Sequence, residues 1–206
     1  FGNGGGMLPF SNSDFRYDDL EENSIQVIGE NDGSFDAADY ILFYGKGPST
    51  WNYSASENRF KHQKHLYTNK TCYFLTTSGG NGSPKRISLQ NSYANFNTTV
   101  TEFDDFSFHE EDLYNLLISG REWYGERFDA IKASYAFSFL FPNISSDISI
   151  KASVLGRSIT PTTSSFSIYA NGQLLPMNLN TGSVQGNYLN PYGNAKTDVA
   201  SFSSGG

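Results

Sequence analysis

The chain has 206 residues, enough for one large β domain or two small ones. Aromatics make up 16% of it against 17% charged residues, with 13 Tyr, 17 Phe and 20 Gly, a balance that suits strands and tight turns better than helices. A formal net charge of −7 repels phosphate backbones and anionic headgroups and argues against nucleic acid as a partner, while a single cysteine, Cys72, excludes an internal disulfide framework.

No apolar run approaches the roughly 20 residues that span a bilayer, and nothing at the N-terminus reads as a signal peptide. Phe1-Gly2-Asn3-Gly4-Gly5-Gly6 at one end and Ser203-Ser204-Gly205-Gly206 at the other read as cuts through a longer polypeptide. Residues 1 to 24, with the acidic stretch Asp18-Asp19-Leu20-Glu21-Glu22, predict an extended opening segment. The glycines Gly2, Gly4, Gly5 and Gly6 read as a flexible turn, because no Lys-Ser/Thr pair follows to make a phosphate loop.

Ile25 to Gly29 predicts a strand, Asn31-Asp32-Gly33 a turn, and Tyr40 to Gly45 a continuous apolar run that reads as a buried central strand. Thr71 to Thr77 and Lys85 to Gln90 predict two more strands around the turn-forming Ser78 to Pro84. One helix is expected over Phe108 to Ser119. Ser107 and Glu110 match a capping box, Leu113, Leu116 and Leu117 form a stripe, and Gly120 stands at the C-terminal cap.

Beyond it, Ala130 to Phe141 alternates Tyr135, Phe137, Phe139 and Phe141, which predicts a strand with one buried aromatic face. Ile148 to Val154 and Ser165 to Tyr169 repeat the alternation, and Ala170-Asn171-Gly172-Gln173 reads as a type I′-like turn into Leu174 and Leu175. The tail from Asn178 onward, rich in Asn, Gly, Ser and Thr, is expected to pair loosely and to be mobile at its end. The fold class this implies is mainly β, an antiparallel β-sandwich of jelly-roll or immunoglobulin-like type with one short helix near 108–119. Residues 1–206 read as mostly one such unit, with 1–120 and 121–206 as the alternative division.

Several residues could carry chemistry. Cys72 is followed by Tyr-Phe-Leu in an expected buried strand, where it reads as a small hydrophobe rather than an activated thiol. His62 and His65 are three apart, but Lys61 and Lys64 flank them and oppose a cation, and His109 reads as a locally bonded residue at the helix start. Asp104, Asp105, Glu110, Glu111 and Asp112 are explained as acids at a helix N-terminus before they are read as a glycosidase pair. The most specific chemical signal is Gly29 to Asp39, which resembles a calcium loop. With Gly33 as the turn glycine, Glu30, Asp32, Ser34, Asp36 and Asp39 fall near ligand positions for a structural Ca²⁺, although Ile28 stands where the first carboxylate belongs.

Asp39-Tyr40-Ile41-Leu42-Phe43-Tyr44-Gly45-Lys46-Gly47-Pro48, preceded by Gly29 to Asp36, resembles the region upstream of the peptidase domain in the PorU family, the gingipain-related cysteine peptidases of the type IX secretion system. Phe108 to Asp112 followed by Ser119 to Glu126, and Gly2 to Pro9, add to the resemblance, which covers most of residues 1–141. It implies a parent protein at the cell surface and outer membrane of a Gram-negative bacterium. That parent would be a sortase that removes the C-terminal signal domain of secreted cargo and joins the new carboxyl end to anionic lipopolysaccharide. The family's catalytic Cys and His lie in a later α/β domain, so no catalytic residue carries over, and no cofactor is implied. The expected partners are the rest of the parent chain, including its peptidase domain, and secreted cargo. Two other readings stand beside this one. The first is a carbohydrate- or peptide-binding module using Trp51 and Trp123, tested by their exposure, and the second is an independent hydrolase built on Cys72.

Overall fold

The computed structural model describes residues 1–9, 11–77, 82–116, 118 and 122–203. The fold is mainly β, in small and mostly antiparallel sheets, and the chain divides into two compact units, Phe1–Phe108 and His109–Gly206. No described helix is long and apolar enough to cross a membrane.

In the first unit, β1 (Ile25–Ile28) pairs antiparallel with β2 (Tyr40–Phe43), Ile25 opposite Phe43 and Ile28 opposite Tyr40. A short 3-10 turn, Glu30–Asp32, joins them between two left-handed glycines, Gly29 at φ 96° and Gly33 at φ 75°. A side chain is excluded at Gly29 twice over, since its Cβ would also lie 1.7 Å from the Asp39 carboxylate. β2 forms as expected but is not buried: Tyr40, Leu42 and Phe43 are each about half exposed. Apolar composition selects the extended conformation, yet burial needs a second layer, and this sheet has only two strands.

A second hairpin follows, β3 (Thr50–Ser54) against β4 (Arg59–Gln63), with Trp51 opposite His62 and Tyr53 opposite Phe60. Its turn uses Asn58 at φ 48°, and the Tyr53 hydroxyl donates to Asn58 Oδ1 at 2.6 Å. The strands expected at 71–77 and 85–90 are irregular segments with isolated backbone contacts rather than ladders. Phe74 N donates to Phe1 O at 2.9 Å, and Arg86 bridges Ile25 in parallel, while residues 78–81 lie outside the described residues.

The helix expected over 108–119 does not form across the described residues 108–116; Leu117, Ser119 and Gly120 lie outside them. Tyr114 instead bridges Tyr124 antiparallel, with Tyr124 N donating to Tyr114 O at 2.9 Å, and Ile118 sits in a left-handed turn at φ 52°. An isolated helix of this length is marginal unless its apolar stripe is buried, and Leu113 remains 55% exposed. The capping box therefore had no packed face to stabilise.

The second unit holds the best-formed strands. β5 (Ile148–Gly156) pairs with β11 (Asn194–Phe202) through a continuous antiparallel register from Ile148 opposite Phe202 to Gly156 opposite Asn194. Between them in sequence lie β6 (Ser158–Ile159), β7 (Ser164–Phe166), β8 (Tyr169–Ala170), β9 (Gln173–Leu174) and β10 (Leu179–Val184). β10 is sandwiched within its own sheet, parallel to β6 and antiparallel to β7, with a register shift between Asn180 and Gly182. The β8–β9 hairpin turns on Asn171 at φ 48° and Gly172 at φ 83°, the two positive values that a type I′ turn demands. Ala170, Leu175, Ala200 and Phe202 form the core, with Ile148, Ile150, Ile168 and Met177 packed against it.

The tail from Asn178 is thus the opposite of loosely paired, because it supplies both β10 and β11. Leu179 and Thr181 are buried along β10, and Ala200 and Phe202 alternate inward along β11. Small polar residues between those positions hid a period of two. The final residues 204–206 lie outside the described residues. The strand expected over Ala130 to Phe141 is irregular, and its aromatic face is only partly covered. Phe137 and Phe139 are nearly half exposed, with Tyr135 set edge-on against Phe128.

Asp198 ties the start of β10 to β11. Its carboxylate accepts from Asn178 N at 2.6 Å and from Val199 N at 2.8 Å. These backbone hydrogen bonds, Asn178 first, outweigh desolvation and, with the nearby Lys196 charge, hold its carboxyl below the ordinary carboxylate range. A lowered carboxyl contributes stability above its ordinary pKa and loses it as pH falls through the folded value. Thermal melts of the wild type are therefore expected to drop more steeply below about pH 4 than those of Asp198→Asn. Parallel acid profiles would refute the tie.

Candidate functional site

The cleft that brings titratable groups together lies in the first unit, has a volume of about 320 Å³, and includes His65, Lys70, Cys72 and Phe74 in its lining. Cys72 is exposed on an irregular segment, not buried in a strand, which corrects its reading as a covered small hydrophobe. His65 follows β4, and its ring is fixed by the local backbone. Nδ1 accepts from Tyr67 N at 3.1 Å and from Thr68 N at 3.2 Å, so the neutral ring carries its proton on Nε2. In that tautomer neither nitrogen has a lone pair free for a thiol proton, and no hydrogen bond joins His65 to Cys72 among the described residues. Cys72 is expected to react to completion with DTNB in the folded protein, and Cys72→Ser to change stability by less than about 0.5 kcal/mol. Labelling that waits for denaturant would show the thiol to be covered.

The other histidines are held elsewhere. His62 stacks on Phe108 with centroids 3.6 Å apart and lies 4.9 Å from the ring of Trp51. Trp51 is half-buried in this cluster, 4.3 Å from Phe106, so it is not an open platform, whereas Trp123 is 39% exposed. His109 lies 4.0 Å from the ring of Phe137, and its Nε2 is 2.6 Å from Glu126 Oε1. Burial raises the Glu126 carboxyl, but the His109 hydrogen bond, a backbone hydrogen bond and the electrostatic attraction of His109 together hold it below the usual carboxylate range. The nearby Tyr124 hydroxyl is pushed up by burial and by its 3.0 Å hydrogen bond to Glu122.

In the loop that resembles a calcium site each carboxylate has a partner in the protein, within the turn or on Arg86. Glu30 pairs with Arg86 at 2.8 Å, and Asp32 Oδ1 accepts from Ser34 N at 2.9 Å. Asp36 Oδ1 accepts from Ala38 N at 2.9 Å, and Asp39 Oδ2 accepts from Asp36 N at 2.9 Å. The Asp32 and Asp36 bonds are of the Asx type that shapes an acidic turn, and no group of three His, Cys, Asp or Glu side chains is gathered for a metal among the described residues. Asp104, Asp105, Glu110, Glu111 and Asp112 lie in irregular chain rather than at a helix start.

Sequence reasoning missed a second cleft of the first unit, bordered by Tyr17, Tyr44 and Tyr73. Its tyrosines are scattered along the chain, and only the three-dimensional fold collects them. Compared with known proteins, the chain matches no protein-family model, no curated protein and no solved structure.

Proposed function

We propose that this chain is a non-catalytic accessory β region of a larger, surface-anchored cysteine peptidase of PorU type, which acts as a sortase on exported cargo at the outer membrane of a Gram-negative bacterium. The motifs of residues 1–141 support the reading, and one physical observation carries it. By the relation of surface to mass, a 22.8 kDa chain that closes its own core exposes roughly 9,600 Å², and two separate units of half that mass roughly 11,500 Å². This chain exposes 16486 Å². The excess includes a run of large apolar side chains, Leu89, Tyr93, Phe96, Val100 and Phe103, each at least 78% exposed. Apolar surface on that scale favours burial against a partner, which in this reading is other polypeptide.

In this reading the parent's peptidase domain covers those faces, and the small sheets then close into a sandwich of jelly-roll or immunoglobulin-like type. β5 and β11 pair only with each other among the described residues, so their outer edges offer backbone donors and acceptors to a neighbouring strand from the parent or from cargo. Catalysis belongs to the later domain, with Cys72 a plain surface thiol. Two measurements test this. Antibody against the chain is expected to detect, in the outer-membrane fraction, a species several times heavier than 22.8 kDa. Deleting residues 1–206 from that species is expected to leave cleavage of a short fluorogenic peptide intact while processing of cargo collapses. A free species of 22.8 kDa, or cargo processing untouched by the deletion, would sink the proposal.

A further inference from the structure

Residues 88–104 run as irregular chain with every residue exposed, and among the described residues no hydrogen bond, ion pair or ring contact holds any of them. Both ends are anchored. Ile87 N donates to Ile25 O at 2.9 Å, and Phe106 lies 4.3 Å from the ring of Trp51. A connection of this length without secondary structure is uncommon inside a folded unit and marks either a linker or a binding segment.

Its composition is not that of a linker. Leu89, Tyr93, Phe96, Val100 and Phe103 are each at least 78% exposed, and the steps between them are four, three, four and three residues. That is the spacing of one helix face over two heptads, not of a strand. Asn91, Asn95, Asn97, Thr98, Thr99 and Thr101 lower the helix propensity, and a helix of this length is marginal alone, so the seam stays unfolded until something covers it.

The charges identify what covers it. Glu102, Asp104 and Asp105 stand at the C-terminal end, where they oppose the macrodipole of a single helix, and Lys85 and Arg86 precede the N-terminal end. Two copies side by side in parallel bring like charges together at both ends. Antiparallel copies set the carboxylates of one beside the helix N-terminus and Lys85 of the other, with Arg86 already paired to Glu30 of its own chain. The apolar spacing matches itself in this arrangement: Phe96 meets Phe96 on the twofold axis, Tyr93 meets Val100, and Leu89 meets Phe103. Asp104 and Asp105 then fall within about one helical turn of the other copy's Lys85. Three aromatic and two aliphatic side chains from each copy bury roughly 1,200 Å² in total, the lower end of stable interfaces.

We propose that residues 88–103 are a self-association segment, which folds as a helix against the same segment of a second copy in antiparallel register. For this stretch the covering polypeptide is a second copy, while the other exposed faces stay with the parent's peptidase domain. The pairing is read on the isolated chain and the parent-chain reading on the heavier species, so the two fail independently.

The test is sedimentation equilibrium on the 206-residue chain, with far-UV circular dichroism on the same samples. Coupled folding keeps a short interface weak. The weight-average mass is therefore expected to rise from 22.8 kDa toward twice that value between about 5 and about 500 μM, with helical ellipticity growing in step. Phe96→Glu sets two carboxylates on the axis and is expected to hold the chain at 22.8 kDa throughout, with an unchanged melting temperature. Asp104→Lys should weaken association roughly threefold to tenfold, and adding Lys85→Glu should recover most of that loss. Tyr188→Glu, at an exposed residue of the second unit, should change nothing. A mass fixed at 22.8 kDa, association unaffected by Phe96→Glu, association without gain of helix, or a charge swap that recovers nothing would each overturn the pairing. So would co-sedimentation of the monomer with phosphatidylcholine vesicles that Phe96→Glu abolishes, which would make a lipid surface the occupant.

Discussion

Phe202→Ala is expected to destabilise the second unit by about 3–5 kcal/mol, read as a fall in the urea midpoint at unchanged slope. Phe202 stands next to the end of the described chain, where truncation is ordinarily harmless, but its ring is 8% exposed. It faces Ile148 across the longest ladder and belongs to the core with Ala170, Leu175 and Ala200. Removing the ring leaves a cavity that this small core has few side chains to refill. A unit of this size has a total stability of about 5–15 kcal/mol, so the loss should populate the unfolded state visibly at room temperature. Leu189→Ala, at a residue 78% exposed in the same tail, is the control and should stay within about 0.5 kcal/mol. A Phe202→Ala midpoint within that margin would mean that the tail is not docked.

Gly156→Ala is the second large effect, near the upper end of the roughly 1–3 kcal/mol that overpacking imposes. Gly156 is buried at the end of β5, and an added Cβ would fall 1.8 Å from Thr181 Oγ1, 2.7 Å from Thr181 Cβ and 2.9 Å from Ser164 Cβ. None of these can move freely. Thr181 is buried in β10 and donates to Ser164 O at 3.2 Å, so relieving the clash also breaks a hydrogen bond. Thr181→Ala removes the nearest atom and relieves the clash, so the double substitution is expected to lose less than the sum of the two single losses, with a coupling of roughly 1 kcal/mol or more. Simple additivity would show that β5 and β10 do not meet at Gly156.

The sequence pattern found β1, β5 and the β8–β9 hairpin because each is announced by its own residues. Ile148, Ile150 and Ala152 alternate with polar neighbours, and Asn171-Gly172 tolerates the two positive φ values of its turn. It did not find β3 and β4, since Arg59-Phe60-Lys61-His62-Gln63 has one aliphatic or aromatic carbon side chain among charged and polar ones. What organises that hairpin is the set of rings on Trp51, His62, Phe106 and Phe108, which come from two distant segments. The helix over 108–119 failed for the complementary reason. Its cap was written locally, but nothing distant arrived to bury Leu113, and Phe108 and His109 each stack on aromatic partners far away in sequence.

The candidate sites divide the same way. The acidic loop between β1 and β2 was visible from its spacing, because an Asx turn and a calcium loop use the same residues, and only the geometry shows each carboxylate bonded within the turn or to Arg86. Cys72 and His65 share a cleft that no spacing announced, with the imidazole oriented by two backbone donors.

By itself the sequence determined the β class, the turn chemistry at Gly33 and Asn171-Gly172, and the net acidity, because backbone dihedral preference, side-chain period and charge are properties of neighbouring residues. Only the tertiary structure decided which strands found partners, that the polar tail supplies the longest ladder, and that three tyrosines from separate segments meet around Asn23. Burial depends on what lies opposite across long loops, and a chain's local pattern carries no record of that.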